Sequence, residues 1–280
     1  MLELLEHSSY ILMATSGLLG LLVGSFLNVV ISRLPVIVMA EWQDAVVDET
    51  VENISLIKPS SFCPHCQHTL AWYDNIPLFS FILLTGKCRH CNKSISWRYP
   101  AVEALSACLS MICAWQFGYS LQLLAALILS WSLIAQSFID FEHFILPDQI
   151  NLPVLWLGLL LSITEVFSNS HDSILGASLA YLSLWSIYMV FKFLTGKEGM
   201  GYGDFKLLAL LGAWLGWQQL PLIIMLSSLL GSVIGLTLIL CKRSSLSTPI
   251  PFGPYLAVAG WLALVFGKPL NAWYQSLLII

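Results

Sequence analysis

The sequence predicts an all-α polytopic membrane protein of about eight transmembrane helices, with a small zinc-binding cytoplasmic domain inserted between the first and second. Three observations predict it. Of 280 residues 58% are hydrophobic and only 10% charged, more apolar surface than an ordinary globular core can hide. Apolar stretches of about 20 residues, enough to cross a hydrocarbon core about 30 Å thick, recur along the chain. Two Cys-x-x-Cys pairs stand in the one long polar segment. A net charge of −4 without a basic patch excludes a nucleic-acid partner and leaves membrane lipid as the expected surroundings.

Taken in order, the expected spans lie near 10–32, 100–118, 121–139, 150–167, 173–193, 205–217, 220–241 and 253–270. The first follows a start with two Glu and no Lys or Arg, which does not fit the basic n-region of a signal peptide, so it reads as an uncleaved helix. The sixth is short for a full crossing. Pro269 is the expected break of the last span, leaving 270–280 as a separate interfacial piece. The corresponding domains are 1–34, a first helix; 35–99, the four-cysteine domain; and 100–280, the remaining membrane domain.

Orientation follows from the basic residues, because cytoplasmic loops retain Lys and Arg. Arg33, Lys58, Lys87, Arg89, Lys93 and Arg98 fall between the first two spans, Lys192, Lys197 and Lys206 flank the loop after the fifth, and Lys242 and Arg243 follow the seventh. Eight spans put all of these on one side and leave only Lys268 for the other. The expected N-terminus is therefore outside, with loop 35–99 and the loop around 140–148 in the cytoplasm.

In the first span Gly17, Gly20, Gly24, Ser25 and Asn28 sit mostly at helical spacings before Ser32-Arg33-Leu34-Pro35. This pattern predicts a small-residue face for close helix packing, with Asn28 bonded across the interface; a share in substrate or cofactor binding is the alternative. The soluble segment carries Cys63-Pro64-His65-Cys66 and Cys88-Arg89-His90-Cys91, with 21 residues between the pairs. Four thiolates satisfy a tetrahedral zinc, although the spacer is one residue longer than the usual range of about 15–20. Cys63, Cys66, Cys88 and Cys91 are thus the expected ligands of a structural Zn2+ without an open position. Disulfides are disfavoured in a reducing cytoplasm. His65, His68 and His90 read as surrounding residues, and Cys108, Cys113 and Cys241 as small apolar packing residues. Acidic residues within 41–57 read as a solvated insertion, and Glu103 as a surface partner of Arg98.

The chemistry is expected at two carboxylates. Asp204 follows the glycines of the run Gly199-Met200-Gly201-Tyr202-Gly203-Asp204-Phe205-Lys206, and Asp140 ends an upstream span 64 residues earlier. That separation leaves room for two crossings, so both return to one face. A carboxylate in a membrane span is expensive to keep and is a functional candidate by default. Two held close in a poorly hydrated site share a proton, which supplies a base to activate water and an acid to protonate a peptide oxygen. The glycines permit unwound backbone and close approach of a substrate strand, and Lys206 reads as a residue that biases the local potential or snorkels. Asp148 and Asp172 read as N-cap or interfacial residues.

These features together resemble the type IV prepilin peptidases of bacterial inner membranes. The resemblance covers nearly the whole chain: Gly24-Ser25-Phe26-Leu27-Asn28-Val29-Val30 with Arg33-Leu34-Pro35, both Cys-x-x-Cys pairs, Asp140 through Leu146-Pro147-Asp148, Gly201-Tyr202-Gly203-Asp204-Phe205-Lys206, and Pro251-Phe252-Gly253-Pro254. It implies a GxGD-type aspartic protease with Asp140 and Asp204 as its dyad, acting on type IV prepilins or type II secretion pseudopilins. It further implies N-methylation of the new N-terminal residue with S-adenosylmethionine as donor. Nothing in composition or spacing points to methylation, since no Gly-x-Gly-x-x-Gly is present. Glu142 departs from the Asp expected of many relatives at a position outside the dyad. A proton-coupled transporter is the main rival, but it predicts inverted repeats and gives no reason for the cysteines. A zinc hydrolase lacks His-Glu-x-x-His, and a non-enzymatic scaffold leaves the aspartate pair unexplained.

Overall fold

The computed structural model describes residues 8–42, 55–58, 60–197, 199–241 and 250–278, and the side chains of all of these but 72, 75, 268 and 271–278. The acidic stretch expected within 41–57 lies mostly outside the described residues. The helices are α1 (Ser9–Trp42), a short α2 (Phe79–Leu83), α3 (Arg98–Phe117), α4 (Leu121–His143), α5 (Asp148–Leu161), α6 (Ser170–Thr195), α7 (Tyr202–Leu215), α8 (Leu220–Leu240) and α9 (Gly253–Leu278). No β-strand is present among the described residues, only two isolated bridges.

Five helical stretches among the described residues are long and apolar enough to cross a membrane: Ser9–Trp42, Arg98–Phe117, Leu121–His143, Ser170–Thr195 and Trp217–Leu240. The protein is therefore an all-helical membrane protein. The other three expected spans are also helical but shorter, at Asp148–Thr164, Tyr202–Leu215 and Gly253–Gly267. With 14 residues, α7 is only about 21 Å long at 1.5 Å per residue.

Two boundaries differ from the sequence expectation. The first helix continues through Pro35 to Trp42 instead of ending near residue 32. In the last helix the backbone leaves helical geometry at Phe266 (φ −118°, ψ 16°), three residues before Pro269. A proline ring collides with the carbonyl four residues earlier, here that of Val265, and cannot donate to it, so the neighbouring Phe266 yields.

The chain divides into two compact units, Met1–Ala135 and Gln136–Ile280. In the first, α1 packs along α3 through its small residues. A Cβ at Gly20 would stand 2.6 Å from Ser110 Oγ and 2.7 Å from the Ser106 carbonyl, and one at Gly24 would stand 2.8 Å from Glu103 Cα. Backbones this close let Ser106 Oγ donate to the Gly20 carbonyl at 2.6 Å and Asn28 Nδ2 to the Tyr99 carbonyl at 3.1 Å. The small-residue face is thus a packing face, as expected of membrane helices that lack a hydrophobic drive to associate. Leu27, Ile31 and Leu34 of α1 and Val102, Cys113 and Ala114 of α3 are buried.

In the second unit α7 is the core. Phe205, Leu207, Leu208, Leu210, Leu211, Ala213 and Trp214 are all buried, the signature of a helix apolar on every side and enclosed on every side. It packs against α5, α6 and α9. At Gly176 and Gly212 the backbones of α6 and α7 approach so closely that a methyl group on either would overlap the other's carbonyl. Ser173 Oγ donates to the Ala213 carbonyl beside this crossing, and Trp214 Nε1 donates to the Val154 carbonyl of α5 at 2.8 Å. The short helix whose first turn carries Gly203 and Asp204 is therefore held from three sides.

Candidate active site and metal centre

Asp140 lies in the last turn of α4, and Asp204 in the first turn of α7. Both are buried, at 6% and 8% exposure, and Asp140 lies close enough for its charge to act on Asp204. α4 ends sharply because Phe144 takes a left-handed conformation (φ 58°), a cap position usually given to glycine, while its N–H still reaches the Asp140 carbonyl at 2.9 Å. The chain then turns inward at Leu146, which is 9% exposed.

Leu146 is the wedge of the site. A Cβ at Gly203 would stand 2.8 Å from Leu146 Cβ, and one at Gly253 would stand 3.2 Å from Leu146 Cδ2 and 2.6 Å from Asp140 Oδ2. Only glycine at these two positions lets α7 and α9 close on the segment between α4 and α5. The Gly253 amide, at the start of α9, donates to Asp140 Oδ2 at 3.0 Å. Asp204 sits on the N-terminal turn of α7, with Gly201 as the residue before the helix and its backbone beside the carboxylate. Each carboxylate thus meets the positive end of a helix, which favours an anion there. Both sites lie in low-dielectric surroundings where one negative charge is tolerated far better than two.

An aromatic cluster fastens the glycine-rich start of α7. Tyr202 and Phe205 pack on Tyr188 of α6 with ring centroids 5.5 and 5.6 Å apart, and Tyr181 meets Phe205 at 5.9 Å. Lys206 Nζ donates to both oxygens of Asp148, at 2.8 and 2.7 Å.

Of the two residues read as N-cap or interfacial groups, neither is the N-cap itself. The N-cap of α5 is Pro147, so Asp148 is the first helical residue, and its carboxylate is taken up by Lys206. The N-cap of α6 is Asn169, whose side chain accepts from the Asp172 amide at 2.9 Å. Asp172 itself receives Trp217 Nε1 and Gln218 Nε2 at 3.1 and 2.7 Å, which ties the turn after α7 to α6. In the other unit, Glu103 accepts the Leu78 amide at 2.8 Å, anchoring the soluble loop to α3. Gly253 enters the sequence reading only as part of Pro251-Phe252-Gly253-Pro254, without a role, because a backbone amide has no side-chain signature.

In the first unit the four cysteines gather. The sulfurs of Cys63, Cys66, Cys88 and Cys91 all lie within 4.8 Å of one another, and none of them is in a disulfide. Each pair sits on the same turn. The Cys63 amide donates to the His68 carbonyl and the Gln67 amide to the Cys63 carbonyl, and the Cys88 amide donates to Lys93 and the Asn92 amide to Cys88 in the same pattern. Gln67 and Asn92, each four residues after the first cysteine, share φ 55°. The Cys63 and Cys91 sulfurs are 3.9 Å apart, matching the ~3.8 Å edge of a tetrahedron with bonds of about 2.3 Å. Backbone amides of Cys91 and His90 lower the Cys88 thiol to about 7, favouring the thiolate that a metal needs. The cluster is able to hold a metal ion. The His68 and His90 rings stack 3.5 Å apart beside it.

The fold and the buried carboxylates define a helical membrane protein with the makings of an aspartic protease. Comparison with known proteins narrows the class. Residues 18–117 match the Bacterial Peptidase A24 N-terminal domain and residues 127–236 the Type IV leader peptidase family. A Stutzerimonas stutzeri protein named prepilin leader peptidase/N-methyltransferase is 51% identical over 91% of this chain and 91% of its own. Proteins of the same name from Aeromonas hydrophila and Pseudomonas aeruginosa are 50% and 49% identical, covering 99% and 92% of this chain and 98% and 91% of theirs. No solved structure is significantly similar. The chain belongs to the type IV leader peptidase family.

Proposed function

We propose that this protein removes the leader peptide of type IV prepilins or type II secretion pseudopilins and then N-methylates the new N-terminal residue. The observation that supports the protease reading is that Asp140 and Asp204, two buried carboxylates 64 residues apart in sequence, come close enough for the charge of Asp140 to act on Asp204. In the proposed reaction, the ionised member takes a proton from water as the oxygen attacks the scissile carbonyl carbon. The protonated member donates to the carbonyl oxygen. Collapse of the tetrahedral species breaks the C–N bond as the amine nitrogen takes up a proton, leaving the leader carboxylate and a free N-terminus.

The methyl transfer reading rests on the names of relatives about half identical over nearly their whole length, and it implies S-adenosylmethionine as donor. Cys63, Cys66, Cys88 and Cys91 would hold a structural Zn2+, a reading supported by sulfur spacing and paired turns. When bound, the ion would crosslink the two turns and leave no open position for catalysis. We place the protein in the bacterial inner membrane with eight spans, the N-terminus outside, and the dyad and soluble loop facing the cytoplasm, on the distribution of Lys and Arg.

Mass spectrometry of a model prepilin incubated with the purified protein tests this reading. Leader loss without S-adenosylmethionine, and a further gain of one methyl group with it, are expected. An uncut substrate in both arms would remove the proposal.

A further inference from the structure

Leu146 is wedged between Gly203 and Gly253, and Asp148 follows it by two residues. Lys206 follows Asp204 by two residues, and its ammonium donates to both oxygens of Asp148, at 2.8 and 2.7 Å. The side chains are 31% and 48% exposed, so such a pair adds little to global stability. Its place gives it a different effect. It joins the first turn of α5 to the N-terminal part of α7, across the point where Leu146 must stay seated for α7 and α9 to close.

We infer that the Lys206–Asp148 pair is a positioning device for proteolysis, an outer latch that holds Leu146 and thereby the Asp204 turn in register with Asp140. The inference rests on the protease reading above. Neither residue touches the reacting atoms in this account; each acts through Leu146 and the α7 N-terminus. Small misplacement of a catalytic group costs rate far more than it costs binding, so the pair acts on kcat and leaves KM and folding nearly unchanged.

The test uses the full-length protein in native membrane vesicles with a prepilin substrate. Asp148→Asn and Lys206→Met should each lower kcat roughly tenfold, with KM within about twofold and Tm within about 2 °C of the unaltered protein. Lys206→Arg, which keeps a cation able to reach both oxygens, should retain most of kcat. The double variant carrying both disruptions should be no slower than either alone, because both break one contact. Single variants at the unaltered rate, a Lys206→Arg protein as slow as Lys206→Met, or losses that multiply in the double variant would overturn the latch. Failure of the protease reading is separate: it is seen as absent cleavage by the unaltered protein, or as cleavage that survives loss of Asp140 or Asp204.

Discussion

The backbone amide of Gly253 donates to Asp140 Oδ2 at 3.0 Å, joining the first residue of α9 to the last turn of α4 across 113 residues of sequence. The contact depends on glycine for space more than for backbone freedom, since a Cβ there would stand 2.6 Å from the same oxygen. Gly253→Ala is therefore expected to push Asp140 off its amide and to cut the cleavage rate by at least about tenfold. Steady-state kinetics with a prepilin substrate checks this, and an unchanged rate would show that the contact does not orient the carboxylate.

Core packing of the second unit makes a stability prediction. Gly212→Ala forces apart the α6 and α7 backbones at their closest point, where neither side can move a rotamer to relieve the overlap. The expected loss is about 1–3 kcal/mol, read as a lower Tm in detergent.

Metal binding at the four cysteines has a pH sign. Because the metal binds thiolates, protons compete with it and displace it as pH falls. Purified protein should carry about one zinc per chain, lost to a chelator more readily as the pH of dialysis is lowered. Cys63→Ser with Cys88→Ser should abolish it. Zinc retained by the double variant would place the metal elsewhere.

Much of this arrangement is legible in residue type and spacing. Cys63, Cys66, Cys88 and Cys91 gather as their spacing indicates, and Gly20, Gly24 and Asn28 form a packing face because small residues at helical intervals have few other uses in lipid. What escapes is geometry made by the backbone and by pairs read singly. The Asp140 carboxylate takes its hydrogen bond from Gly253, which carries no chemical mark, and Asp148 and Lys206 look like a cap and a snorkel until α5 and α7 are seen side by side. The helix break lies at Phe266 and not at Pro269, because a proline strains the turn before it.

The topology is open to direct labelling. Single cysteines introduced near Lys58, Lys197 and Asp148 in an otherwise cysteine-free background should resist a membrane-impermeant thiol reagent in intact cells and react after lysis. Labelling near Lys197 from outside would contradict the eight-span arrangement.

In the proposed reaction Asp140 and Asp204 act as one catalytic unit. Leader cleavage by Asp140→Asn, Asp204→Asn and the double variant, measured on prepilin alongside methylation of a pre-cleaved pilin, tests it most directly. Asparagine keeps the size of aspartate but neither carries the charge nor passes the proton. Each single change should therefore lower cleavage by roughly 10³-fold or more, nearly as much as both together, while methylation of the pre-cleaved pilin continues. Leader removal at the unaltered rate by either variant would contradict the account.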